Sequence, residues 1–339
     1  MPVERKWTPQ DPKEAFFPIA ERPAFWMNPD GKNYYIPGQK VLVDAERNRP
    51  LSVVSQNYKV ITNERAYQMA DVIVQGVFNG RTLGDFQCYN LMMPSTRSFC
   101  RMDFIIPNSG FSAFGKSTES YTPFVRISNS YNRMLVLRYE IGFCRWICLN
   151  GCIFGVKSYT ATFVHSLQKK QRTIEEAIAE ARRTIGSIDK IWEIIAKKLT
   201  TLSSIPVRFE LALPVFCEVF GIPDIDRKEV SSSLAQNCAA RAERFLEQAK
   251  SYYAEHGPTA YALFNALTDY ASFPEGQESG SSTLVHGYQR KVGNWADELT
   301  QLAHQTGFQF ESTISDEAKA AAKSLKKLIT EGETVLVLR

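Results

Sequence analysis

The chain has 339 residues, 44% of them apolar and 22% charged, with a net charge of +4 at neutral pH, enough for one large or two ordinary domains around a substantial core. No stretch approaches the roughly 18 consecutive apolar residues of a membrane helix, and Met1-Pro-Val-Glu-Arg-Lys-Trp7 has charges where an export signal needs an apolar run, so a soluble, cytoplasmic protein without membrane contact is expected. Seven cysteines, an odd number in a chain without such a signal, fit reduced thiols better than a disulfide framework.

Along the chain, residues 1 to 35 are rich in proline and aromatic residues without a period and read as an irregular arm on the body. Two extended runs follow, on either side of the polar turn Glu46-Arg-Asn-Arg-Pro50. Asn63 is placed to cap a helix whose stripe is Ala66, Met69, Ala70, Ile73, Val74 and Val77. From 85 to 156 the period falls to two, as in Cys100, Met102, Phe104 and Ile106 or Leu135, Leu137, Tyr139 and Ile141, which predicts an antiparallel sheet.

Two motifs lie inside that sheet. Gly110-Phe-Ser-Ala-Phe-Gly115-Lys116-Ser117 matches the phosphate-binding loop, in which backbone N–H groups cradle phosphates, lysine reaches the terminal ones and serine holds magnesium. That geometry needs a helix starting at the lysine, whereas Pro123 and the strand-like Phe124-Val-Arg-Ile127 follow, so a Gly/Ser-rich connection between strands is the alternative. Cys144, Cys148 and Cys152 are spaced by four and would align on a helix as metal ligands. The hairpin signal Asn150-Gly151 and the aromatic, β-branched run before it favour buried structural cysteines in strand and turn, with no assigned metal. His165 reads as a structural histidine, and no H-E-x-x-H, G-x-S-x-G or paired-carboxylate signature assigns a catalytic residue or cofactor.

Thr173-Ile-Glu-Glu176 is a capping box opening one long helix with the stripe Ile174, Ala177, Ile178, Ala181, Ile185, Ile188, Trp192, Ile195 and Leu199. Further helices are predicted near 210–220, 230–255, 259–271, 285–304 and 315–330, a mobile loop near 274–282, and a short final strand in Thr334-Val-Leu-Val-Leu-Arg339. The expected fold is α+β: the arm, then a core of residues 36–205 built on an antiparallel sheet backed by the long helix, then a mainly helical region, 206–339.

Charge is distributed unevenly. Residues 97–172 hold eleven Lys/Arg against three Asp/Glu, an excess of eight, while residues 173–339 carry an excess of five negative charges. Within the basic region Arg126, Arg133, Arg138, Arg145 and Lys157 interleave with Tyr131, Tyr139, Phe143, Trp146 and Tyr159. Such interleaving suits single-stranded nucleic acid, because cations track the phosphates while rings stack on bases. Lys116, Lys169, Lys170 and Arg172 extend the same candidate surface.

Three blocks resemble the phage- and plasmid-like family carrying domain of unknown function 932. They are Arg49-Pro-Leu-Ser-Val-Val-Ser-Gln-Asn-Tyr-Lys-Val-Ile-Thr-Asn63, Trp146-Ile-Cys-Leu-Asn-Gly151 with His165 downstream, and Thr259-Ala-Tyr-Ala-Leu-Phe-Asn-Ala-Leu-Thr-Asp-Tyr270. The resemblance spans roughly residues 40 to 305, departs from the family in Cys144, Cys152 and the long N-terminal arm, and implies a phage, prophage or plasmid origin without a reaction. The leading expectation is a phage nucleic-acid-binding protein of recombination or replication, with single-stranded DNA as partner and a homo-oligomer as the working form. A structural or counter-defence protein binding a host or phage protein is the second expectation, and a nucleotide enzyme using Gly110, Gly115, Lys116 and Ser117 the less favoured third.

Overall fold

The computed structural model describes residues 8–78, 80–106, 111–112, 114, 120–145, 150–152, 159–165, 173–185, 188–226, 231–273 and 282–337. The N-terminal region is not an irregular arm. Strands β1 (Ile19–Met27), β2 (Asn33–Asp44) and β3 (Arg49–Ser55) form a three-stranded antiparallel sheet in that order, and residue 36 falls inside β2. The rings of this hairpin occupy both faces, which hides the usual alternation, and its prolines are tolerated in β1 and β3 because both are edge strands. Phe17, Leu42, Val54, Tyr58 and Tyr131 bury its root.

Helix α1 (Asn63–Val77) is capped by Thr62, whose hydroxyl accepts from the Arg65 amide at 3.1 Å, rather than by Asn63. Asn63 is instead a buried staple: its Nδ2 donates to the Ala15 carbonyl, its Oδ1 accepts from Asn129 Nδ2, and its amide donates to the Tyr131 hydroxyl. The predicted stripe from Ala66 to Val74 is buried.

The central sheet holds β4 (Gln87–Met92), β5 (Phe99–Ile105), β6 (Phe111–Ser112), β7 (Ser120–Ser130), β8 (Leu137–Arg145), β9 (Asn150–Cys152) and β10 (Tyr159–Phe163). Its path is β10-β8-β7-β5-β4, with β6 on β7 and β9 on β8, and every pairing is antiparallel. One face presents Met102, Phe104, Val125, Ile127, Leu137 and Tyr139 to a core shared with α1.

The capping box forms as predicted, with Thr173 and Glu176 exchanging hydrogen bonds at 2.9 and 3.1 Å. The stripe after it lies on α2 (Ile174–Ile185) and α3 (Ile188–Ser204), and residues 186–187 between them lie outside the described residues. Helices α4 (Ala212–Phe220), α5 (Ser232–His256), α6 (Ala260–Ser272), α7 (Ser282–Leu302) and α8 (Asp316–Val337) complete the α+β fold. The final segment is not a strand, since α8 runs to Val337: no proline follows Asp316, and each added helical residue gains a bond at little cost. Phe216, Phe220, Phe245, Tyr270 and Tyr288 interlock at the centre of the helical half. Of the loop expected near 274–282, residues 274–281 lie outside the described residues and Ser282 begins α7.

Candidate functional site

Strand parity gives the second face of the central sheet a different character. Arg101, Asp103 and Ile105 of β5, Phe124, Arg126 and Ser128 of β7, and Arg138 and Glu140 of β8 share it. The register sets Asn90, Asp103, Arg126, Glu140 and Thr160 opposite one another in a single row across five strands. Arg126, 1% exposed, forks onto Asp103 (Nε to Oδ1 2.7 Å, Nη2 to Oδ2 3.0 Å), and its Nη1 donates to Gln289 Oε1 of α7 at 2.7 Å. Asn90 Nδ2 donates to Asp103 Oδ2 at 3.1 Å. Burial alone would raise the Asp103 carboxyl, but the charges of Arg126 and Arg101 and two hydrogen bonds outweigh it and hold the group below its ordinary value. The guanidinium of Arg126 is held above its own, because Asp103 overcomes the cost of desolvation.

Four residues of the expected basic groove are buried and partnered instead. Arg126 is bound to a carboxylate, and Arg145 is buried with Nη2 2.9 Å from Glu255 Oε1, near His256. Tyr139 and Tyr131 are also buried: the Tyr139 hydroxyl donates to the Ala66 carbonyl, and that of Tyr131 accepts from Asn63. Arg126 and Arg145 are therefore matched by carboxylates and turned inward, and Tyr131 and Tyr139 belong to the core. Arg133 is exposed, with φ 66°, between β7 and β8, and Arg138 is half-buried. Tyr159 opens β10, while Lys116, Lys157, Lys169, Lys170 and Arg172 lie outside the described residues.

The motifs fare as follows. Gly110, Gly115, Lys116 and Ser117 lie outside the described residues, but Phe111–Ser112 pairs with Ser120–Tyr121, and β7 begins three positions after Ser117. Asn150 and Gly151 are not the hairpin turn, since they pair with Arg145 and Cys144, and Cys152 stands opposite Phe143. Residues 146–149, which include Cys148, lie outside the described residues. Among the described residues no group of three or more His, Cys, Asp or Glu could hold a metal. Cys88, Cys100, Cys217 and Cys238 are free and buried, and burial pushes the thiols of Cys88 and Cys217 up to about 12. His165 stacks flat on Tyr58, centroids 5.0 Å apart, with Nδ1 3.1 Å from the Lys59 carbonyl.

The open surface lies in the first sheet. β3 pairs only with Gln39–Asp44 of β2, so beyond Gln39 the chain continues as a bare two-stranded ribbon. There Phe25 pairs with Tyr35 (5.8 Å, edge-on) and Trp26 with Tyr34 (5.5 Å, stacked), one pair on each face. Phe25, Trp26 and Tyr35 are more than half exposed, Tyr34 is 45% exposed and Met27 67%. The turn is fixed by Asn28, which bonds Lys32 through backbone and side chain, and by Gly31 at φ 80°. Sequence reading missed this ribbon, although Phe25-Trp26 and Tyr34-Tyr35 flank Asn28-Pro-Asp-Gly31, a strong turn signal.

The protein is thus an α+β protein with a charge-paired central sheet and a projecting aromatic hairpin. The family described as "Domain of unknown function (DUF932)" matches residues 50–277, and the chain belongs to that family. The match takes in the Asp103–Arg126–Glu140 row, whereas the hairpin and α7 and α8 lie outside it. No curated protein and no solved structure matches the chain. Among the described residues no helix is long and apolar enough to cross a membrane.

Proposed function

We propose that the protein binds single-stranded nucleic acid and that the hairpin of β1 and β2, rather than the central sheet, meets the bases. One observation carries the reading: four large rings stand exposed in cross-strand pairs on both faces of a ribbon that leaves the body. Exposed apolar clusters of this kind mark interaction surfaces, and each base stacked on an aromatic ring contributes roughly 1–3 kcal/mol. Exposed Arg22 and Lys32 lie on the hairpin, and Arg133 stands at its root, near enough to Tyr58 to oppose slightly the upward push of burial on that hydroxyl.

A second reading, docking onto a protein, is favoured by the charge of the hairpin. Residues 19–44 carry Arg22, Lys32 and Lys40 against Glu21, Asp30 and Asp44, three against three. Anisotropy of a fluorescent oligothymidine separates the two. Nucleic-acid binding predicts an affinity that falls with salt and drops about tenfold or more in Trp26→Ala/Tyr34→Ala, at ~1.4 kcal/mol per decade. Equal binding by that variant, or none by the wild type at low salt, overturns the proposal.

A further inference from the structure

One residue of the second sheet face is left unsatisfied. Arg101, with 3% side-chain exposure, has its Nε 3.4 Å from Asp103 Oδ2, ion-pair range without hydrogen-bond geometry. Its Nη1 is buried with no hydrogen-bond partner among the described residues. Arg126 already occupies both oxygens of Asp103. A buried guanidinium with idle donors is a large cost to the fold, and burial holds its proton affinity below the ordinary value.

The row containing Arg101 shows what could satisfy it. Arg101 stands opposite Ser128, Ser128 opposite Arg138, and Arg138 opposite Thr162, all on the second face. Exposure is graded along this row: Thr162 is exposed on the edge strand β10, Arg138 half-buried, Ser128 and Arg101 buried. The row therefore runs from an exposed position on the edge strand to the idle nitrogen. With strands about 4.8 Å apart, the two arginines start roughly 10 Å from each other and can converge on one group over Ser128. Arg138 has no ion-pair or hydrogen-bond partner among the described residues.

We propose that this row binds a phosphoryl group, held by Arg101 and Arg138 with the Ser128 hydroxyl donating a third hydrogen bond. Three guanidinium groups, Arg101, Arg126 and Arg138, meet two carboxylates, Asp103 and Glu140, on this face, and a phosphoryl group has oxygens enough for both idle forks and the hydroxyl. A carboxylate has only two oxygens, too few for two guanidinium forks and the Ser128 hydroxyl together. The site stands apart from the hairpin and does not depend on nucleic-acid binding.

The test is thermal unfolding of the full chain in phosphate-free buffer at fixed ionic strength, with inorganic phosphate, glycerol phosphate as a monoester, or acetate added. Either phosphoryl probe should raise the melting temperature by about 3 °C or more near saturation, and acetate should not. Arg138→Gln, at a half-buried position, should melt like the wild type without phosphate and lose the response. Arg101→Met should lose the response too. Response to both probes means that the organic part is tolerated, and response to the ester alone that it is recognised. No stabilisation by either probe, an equal effect of acetate, or an undiminished response in Arg138→Gln would overturn the assignment, whether or not Arg101→Met folds.

Discussion

In the seven-stranded sheet Arg126 and Tyr139 face inward to partners, a carboxylate for one and a carbonyl for the other. In the three-stranded sheet Trp26 and Tyr35 face water with only each other's neighbours for company. Similar residue types thus serve opposite ends, and coverage decides which. The central sheet buries charged as well as apolar side chains, so its polar groups must be matched. Among the described residues the ribbon beyond Gln39 has no third strand, so its rings remain available. A basic, aromatic stretch is accordingly a statement about composition and not about surface.

The comparison breaks most visibly at the buried pair. Arg126→Ala, leaving Asp103 without its fork, should cost about 3–5 kcal/mol in denaturant unfolding. Arg126→Met/Asp103→Leu should recover much of that, and an Arg126→Ala protein as stable as the wild type would mean that the row is open to water. The contact between α1 and α2 comes next. A Cβ at Gly76 would meet Ile178 Cγ2 at 2.7 Å, so Gly76→Ala should cost about 1–3 kcal/mol and Ile178→Ala should relieve it in the double variant.

His165 sharpens the contrast through pH. Burial holds its imidazole below the ordinary 6.5, outweighing the opposing hydrogen bond to the Lys59 carbonyl. The folded state then binds its proton less readily than the unfolded state, so the stability contribution is full above 6.5 and is lost as pH falls below it. His165→Gln should flatten that part of the stability profile, and an unchanged slope would remove His165 as its source. The smallest effect belongs to the ribbon. Trp26→Ala should change global stability by no more than ~1.5 kcal/mol, the upper worth of an aromatic pair, because the rings contact little but each other.

The periodic elements were legible. The α1 stripe, the Thr173–Glu176 box and the helices of the C-terminal half obey rules spanning only a turn or two. The α+β class followed from them. What could not be read depended on distant partners: that Asp103 lies opposite Arg126, or that Glu255 meets Arg145, is settled by register and packing across 23 and 110 positions. The β1–β2 ribbon failed for another reason, since rings on both faces erase the alternation that marks a half-buried strand. Asn150-Gly151 carried a turn signal that the pairing of β8 with β9 overrode.

Hydroxyl-radical footprinting of the full chain, read by mass spectrometry, sets the two sheets side by side. Met27, Trp26, Tyr34 and Tyr35 should oxidise rapidly and become protected when oligothymidine is added, while Tyr131 and Tyr139 stay unmodified throughout. Oxidation of Tyr131 and Tyr139 with the ribbon left untouched would contradict the division between a closed central sheet and an open hairpin.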